Sequence, residues 1–403
     1  MDVVAQLHRH GWEIDMPFVA AEDDFDEAPD TRPPNALQLP SSVRAPPLLE
    51  RLRRSHLSSL IRLPRFLRGY FSLILDRSTI GKFNQNLFTM EATLKKVSTP
   101  DAVLLFFGCA TPGVYALVLT MYPAAVLVSL SELAFELKLA RAWSLMRLIC
   151  GWRLRQPIHP FLYRAATPEK LRCVVFASSA WRDDAIRYGL NRSSAHTIYF
   201  GVPMSAMTER PVSHGRLLWV GRMNPAKGLH HFVKAMPAIR SALPKAALKA
   251  IARHEDDAYE AAILEDVARL QLGDALQIVS SVARADLQRA YAEHDMLLCI
   301  SPFSEPVPLV MMEAFTAGLP VIISRPHAPS PLVMDGETCL CFDPDDPRTL
   351  VEAVVRLHGD AELRAHLAAN ARKLVEGQFS LDRMGAQYDA LLRSAAADRA
   401  NAL

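Results

Sequence analysis

Short apolar runs alternate with amphipathic helical segments along almost the whole chain, and this pattern limits the possible folds more than any other feature. The runs at 102–107, 125–129, 173–178 and 196–200 read as strands, the first three apolar at almost every position. That is the signature of strands buried on both faces of a parallel sheet. A second series follows. It reads strand 216–221, helix 228–242, strand 247–252, helix 258–270, strand 276–281, helix 285–293 and strand 296–301. It continues with helix 308–317, strands 319–324 and 339–342, and helices 347–357 and 361–376. Strands regularly separated by helices predict parallel α/β architecture.

A chain of 403 residues exceeds one ordinary hydrophobic core, so two domains are expected. The break falls in "GVPMSAMTERPVSHG", where two prolines and polar residues interrupt the alternation. The expected organisation is an N-terminal domain at 1–202, a linker at 203–214 and a second domain at 215–376. A last amphipathic helix is expected within 377–403. The fold class is two Rossmann-like doubly wound domains facing a central cleft. Such sheets bind ligands beyond the carboxyl ends of their strands, at the topological switch. Residues 20–47, acidic and then proline-rich, read as a long irregular loop, and 48–75 as an arginine-rich helical pair.

Net charge is +2, which gives no reason to expect a nucleic-acid partner. Lys+Arg number 24 and Asp+Glu 18 in residues 1–200, about +6, against 21 and 25 in the remainder, about −4. Any anionic surface is therefore met by the first half. There the segment 48–71 carries six arginines among leucines, and such a basic amphipathic stretch can lie on an anionic membrane. The competing reading is a helical pair packed on the domain with its arginines in water. The uncharged run 102–131 has the length of a membrane span. Gly108, Pro112, Gly113 and Pro123 divide it into strand, turn, helix, turn and strand. The start shows no signal-peptide pattern. The six cysteines form no Cys-x-x-Cys pair and read as reduced core thiols. A cytoplasmic protein is expected, with peripheral contact at the inner membrane face as an option.

Two stretches can carry chemistry. In "LLWVGRMNPAKGLHHFVKA", Arg222 follows the strand and Lys227 stands just before a helix. Two cations and a helix N-terminus at one sheet edge suit a diphosphate. Each charge-assisted bond contributes about 1.5–3 kcal/mol. The alternative is an ordinary strand-to-helix loop with solvated charges. In "SPFSEPVPLVMMEAFTAGLPVIIS", Glu305 lies in the loop, Pro308 fits the first helical position, and Glu313 follows a turn and a half later. The free first-turn amides, among them those of Leu309 and Val310, would face a phosphate or sugar. Carboxylates are natural acceptors for vicinal sugar hydroxyls; the alternative is a capping carboxylate plus an ordinary helix glutamate. Two further acidic clusters have weaker claims. "FDPDD" at 342–346 reads as a helix cap rather than a metal motif, and "EDDFDE" at 22–27 as a solvated loop. The scattered His159, His254 and His294 lack ligand spacing.

Together, Val220-Gly221-Arg222, Lys227-Gly228, the pair Glu305 and Glu313, Ala314, Gly318 and Pro320-Val321 resemble the retaining glycosyltransferases of the GT-B fold, family 4. The resemblance covers about 173–392 well and the first 170 residues weakly. It implies a sugar transferred from a nucleoside-diphosphate donor (UDP, GDP or ADP) to a hydroxyl acceptor, such as a lipid-linked or cell-envelope glycan. Arg222 and Lys227 would neutralise the leaving diphosphate, Glu313 would bind the ribose, and Glu305 would contact the donor sugar near the reacting carbon. The acceptor hydroxyl is the nucleophile in such enzymes, and no metal or other cofactor is required.

The sequence departs from the family at several points. "VAQLHRHGWEIDM" corresponds to the family's first helix and second strand, so its first strand and glycine-rich turn are expected upstream or lost. Where the family often has a histidine after a central strand, this chain has Ser131 and Glu132, and Glu132 is the substitute catalytic candidate. Proline replaces the common glycine at 308, and the glycines that often follow the strand at 247–252 are absent. These departures keep open an inactive binding relative and a nucleotide-sugar epimerase.

Overall fold

The computed structural model describes residues 2–12, 104–107, 114–121, 125–129, 171–209, 212–280, 282–300, 308–325 and 330–400. The expected strand at 13–19, the arginine-rich segment 48–71, the acidic cluster 22–27, His159, Cys109 and Cys150 lie outside them. The described parts divide between two compact units. One takes in Met1–His10, Ala177–Ala180 and Ile198–Tyr388; the other takes in Gly11–Phe176, Trp181–Thr197 and Asp389–Leu403.

The second of these units contains a parallel four-stranded sheet. Its strands β1 (Leu104–Phe107), β2 (Val126–Ser129), β3 (Val174–Phe176) and β4 (Ala195–Thr197) lie side by side in chain order. The run 102–131 is resolved as the sequence suggests: strand β1, helix α2 (Val114–Met121), strand β2. An eight-residue helix is about 12 Å long, far below the roughly 30 Å of a bilayer core. Among the described residues no helix is long and apolar enough to cross a membrane.

The other unit contains a six-stranded parallel sheet built from β5 (Arg216–Met223), β6 (Ala247–His254), β7 (Leu276–Ser280), β8 (Met296–Cys299), β9 (Val321–Ser324) and β10 (Leu340–Phe342). Its spatial order is β10-β9-β8-β5-β6-β7. The chain thus winds outward from β5 in one direction and from β8 in the other, the order of a doubly wound dinucleotide-binding sheet. The helices are α4 (Leu229–Ala242), α5 (Asp257–Arg269), α6 (Arg284–Glu293), α7 (Leu309–Thr316), α8 (Pro347–Gly359) and α9 (Ala361–Gln378). The described residues also hold α1 (Asp2–Arg9), α3 (Ser179–Arg187) and α10 (Leu381–Ala400).

Alternate strand residues feed two cores, one on each face of the sheet. Leu217, Trp219, Met296, Leu298 and Ile322 pack with Phe232 and Met236 of α4 and with Leu350 and Val354 of α8. Leu218, Leu297, Cys299, Val321 and Ile323 pack with Met311, Met312 and Phe315 of α7 and with Ala371 and Val375 of α9. Each fully buried side chain of this size contributes about 1.5–3 kcal/mol. The period-2 alternation therefore forces α4 and α7 onto opposite faces.

At the N-terminal edge of this sheet, Asp295 is fully buried and accepts bonds from the His214 and Arg216 amides at 2.7 and 2.8 Å and from the Arg216 guanidinium at 2.9 Å. Burial pushes its pKa up, but these bonds outweigh burial and hold it below the usual carboxylate range. Asp346 caps α8 by accepting from the Arg348 amide at 3.2 Å, the role expected for "FDPDD". His254 bonds Glu260 and Asp257, and His294 bonds the Ala290 carbonyl, both local structural uses.

Candidate functional site

The two motif-bearing loops leave adjacent strands β5 and β8 at the sheet's topological switch. One rises into α4 and the other into α7, on opposite faces, so a crevice opens between them by topology. A close contact locks the turn before α4 to the end of β8. Gly228 has φ +68°, and a Cβ there would fall 2.3 Å from Cγ1 of Ile300, the residue following β8 by one. Only glycine fits this left-handed and crowded position.

Strand β5 runs two residues further than the sequence suggests. Its register with β6 continues through Arg222↔Arg253 and Met223↔His254. Arg222 is therefore the penultimate strand residue, not the first loop residue. The turn after it is short: Asn224 caps a 3-10 turn at Pro225–Lys227, with its side-chain oxygen accepting the Lys227 amide at 3.1 Å. Gly228 ends that turn and begins α4. The Trp219 indole braces it, donating from Nε1 to the Lys227 carbonyl at 3.2 Å. This explains the glycine of Val-Gly-Arg. A Cβ on Gly221 would lie 2.9 Å from the Trp219 ring and 3.5 Å from Lys227 Cβ.

On the other side of the switch, Pro308 has φ −66° and ψ 121°, so it is the cap rather than the first helical residue; that place belongs to Leu309. The difference is one residue, and the missing proline N–H is equally harmless. The Met311 amide is bonded to the Pro308 carbonyl at 3.2 Å. The first-turn amides without an acceptor inside the helix are thus those of Leu309 and Val310. Glu313 lies further along α7, half-buried, and its Oε2 accepts from the Tyr291 hydroxyl at 2.9 Å. Tyr291 is buried on α6. Burial first, and then the Glu313 charge and hydrogen bond, push its pKa well above the usual tyrosine value. Glu305 and Glu132 lie outside the described residues.

Two side chains absent from the sequence reading, Tyr291 and Glu255, join the site. Glu255, just beyond β6, accepts from Arg222 Nη1 at 2.6 Å and bonds the Asn224 amide nitrogen. His230, in the first turn of α4, pairs through Nδ1 with the Tyr259 hydroxyl at 2.8 Å and stacks against His231, ring centres 4.1 Å apart. Burial, then the His231 and Lys234 charges, lower the His230 pKa to about 4 against the opposing pull of Asp266. The Asn-Pro dipeptide at 224–225 is a legible turn signal. Glu255 and Tyr291 are identifiable only once strand register and helix docking are known. Among the described residues no cluster of His, Cys, Asp and Glu could hold a metal ion.

The fold is that of the GT-B glycosyltransferases, and residues 214–360 match the family described as Glycosyl transferases group 1. Both motif-bearing ends of the switch strands lie within that matched segment. Sucrose-phosphate synthase from Thermosynechococcus elongatus superposes with a TM-score of 0.65 at 21% identity, over 98% of this chain and 92% of that one. Anabaena Alr3699/HepE, solved with UDP and glucose, superposes with a TM-score of 0.55 at 16% identity, over 78% of this chain and 81% of that one. In sequence, spore coat protein SA of Bacillus subtilis is 25% identical over 221 residues, 49% of this chain and 58% of that protein. The chain spans about half the length of the curated relatives it matches.

Proposed function

We propose that the protein is a retaining glycosyltransferase of family 4. It transfers a sugar from a nucleoside-diphosphate donor to a hydroxyl acceptor, with a lipid-linked or cell-envelope glycan as the acceptor class. One observation carries the reading. At the switch of a doubly wound sheet, Gly228 and Ile300 hold a cation-bearing turn against the end of β8. Arg222 and Lys227 then neutralise the diphosphate, and the amides of Leu309 and Val310 add dipoles of the same sense. Glu313, oriented by Tyr291, accepts from the ribose hydroxyls. The UDP held by the structural neighbour Alr3699/HepE supports a nucleotide in this role.

In the reaction the anomeric carbon–oxygen bond to the diphosphate breaks as the acceptor oxygen attacks the same face. The acceptor proton passes to the leaving phosphate oxygen. Cations that stabilise the departing charge are the principal contribution such a site makes. Glu305 is assigned to the donor sugar and Glu132 to the acceptor side of the reacting carbon. The scheme needs no metal. Membrane contact through residues 48–71 would bring a lipid-linked acceptor to the enzyme.

The test is calorimetric titration with UDP, GDP and ADP. One of them should bind, and Arg222→Ala combined with Lys227→Ala should weaken it at least about a hundredfold, two charge-assisted bonds' worth, with thermal melting unchanged. Unchanged affinity in the double variant would sink the phosphate assignment.

A further inference from the structure

Glu255 lies where electrostatics alone would not put it. It is a carboxylate beside the two cations assigned to an anionic ligand. Register explains its location. The β5–β6 ladder ends at Met223↔His254, so the next residues of the two strands, Asn224 and Glu255, emerge side by side. The carboxylate then divides its oxygens. Oε1 accepts from Arg222 Nη1 at 2.6 Å, and Oε2 accepts from Asn224 Nδ2. Asn224 in turn uses its other end, Oδ1, to accept the Lys227 amide at 3.1 Å. The asparagine amide is thereby committed at both ends, which settles its orientation.

We propose that Glu255 is a positioning residue for the donor site, one side chain that sets both cation-bearing segments. The inference rests on the reading of Arg222 and Lys227 as diphosphate ligands. Through Oε1 it fixes the guanidinium directly; through Oε2 and Asn224 it fixes the turn that presents Lys227. The bond through Nη1 uses one of five donors on a planar fork, which is compatible with phosphate binding by the same guanidinium. The Arg222 and Glu255 side chains are 53% and 37% exposed, so the ion pair adds little stability by itself, and its effect is geometric.

The sign of the effect separates positioning from simple charge. A carboxylate acting only through its field repels a diphosphate, and its removal tightens binding. A positioning carboxylate has the opposite consequence: its removal loosens binding. The experiment is a double-mutant cycle on the full chain, read by titration with whichever of UDP, GDP and ADP binds the unaltered protein. Glu255→Ala should weaken binding about tenfold; in the Arg222→Ala background the same change should cost no more than about threefold, the part transmitted through Asn224. Glu255→Gln keeps an acceptor oxygen and should recover to within about threefold of the unaltered protein, with the melting temperature held.

If no nucleotide binds, or Arg222→Ala binds normally, the donor-site reading falls and this inference with it. If Arg222→Ala loses binding while Glu255→Ala leaves it unchanged or tighter, the donor site stands and the positioning role is overturned. Equal losses from Glu255→Ala in both backgrounds also overturn it, because the effect then bypasses Arg222. Should Glu255→Ala fail to fold, Glu255→Gln decides alone. A measurable loss of up to about threefold supports the role; unchanged or tighter binding refutes it.

Discussion

Replacing Gly228 with alanine tests the geometry of the switch more directly than any change to a charged residue. Two costs are separable. The backbone has φ +68°, and an L-residue in that region costs about 1–2 kcal/mol. The new methyl would also lie 2.3 Å from Ile300 Cγ1 and 3.2 Å from its Cβ and Cδ1. Comfortable carbon contacts are about 3.5–4.0 Å, so the loops must part, at an overpacking cost of roughly 1–3 kcal/mol. Gly228→Ala should therefore destabilise by about 2–5 kcal/mol, a large share of a typical domain's stability. Ile300→Ala removes Cγ1 and Cδ1 and with them most of the steric part. In that background Gly228→Ala should cost only the conformational part, about 1–2 kcal/mol. Urea denaturation followed by tryptophan fluorescence and far-ultraviolet circular dichroism measures all four corners of the cycle. Nucleotide affinity should fall in Gly228→Ala and partly return in the double variant. A cost within about 0.5 kcal/mol of zero, or one indifferent to Ile300, would refute the packing on which the site is built.

Two further outcomes can be checked. Tyr291→Phe removes the hydroxyl that donates to Glu313 Oε2 at 2.9 Å, so the affinity for the bound nucleotide should drop about three- to tenfold while inorganic pyrophosphate binds as before; equal losses for both would contradict the ribose assignment. His230 titrates near 4 when folded and near 6.5 when unfolded, so its contribution is present above pH 6.5 and is lost as pH falls towards 4. From pH 7 to pH 5 the linkage gives about 1.8 kcal/mol, and solvent screening of this half-exposed ring reduces it to about 1 kcal/mol. Urea unfolding at the two pH values should show that much less pH dependence in His230→Asn; an unaltered dependence would rule His230 out as its source.

The legibility of this protein follows from the range of the forces involved. The second sheet is readable strand by strand because apolar runs such as "LLWV" and "MLLC" are local signals, and helices such as those following β5 and β6 are amphipathic over their own length. Caps were equally local, as Asp346 before Pro347 shows. Spatial strand order was not written in any one segment. It came from the doubly wound expectation, and it alone puts Gly228 against Ile300, 72 positions away in sequence (300 − 228). The cations Arg222 and Lys227 were visible because they flank a turn, but the groups that orient the site were not. Glu255 is 33 residues from Arg222, and Tyr291 is 22 from Glu313. Each meets its partner through register or helix docking, and in the sequence each is one charged or aromatic residue among many. A motif marks where a ligand is held; the residues that fix the motif's geometry come from the neighbouring strand and helix, and their place is set by packing of the two cores. Substitutions in those neighbours should therefore change affinity without altering any residue of the motif, which is what the Glu255 and Tyr291 variants would reveal.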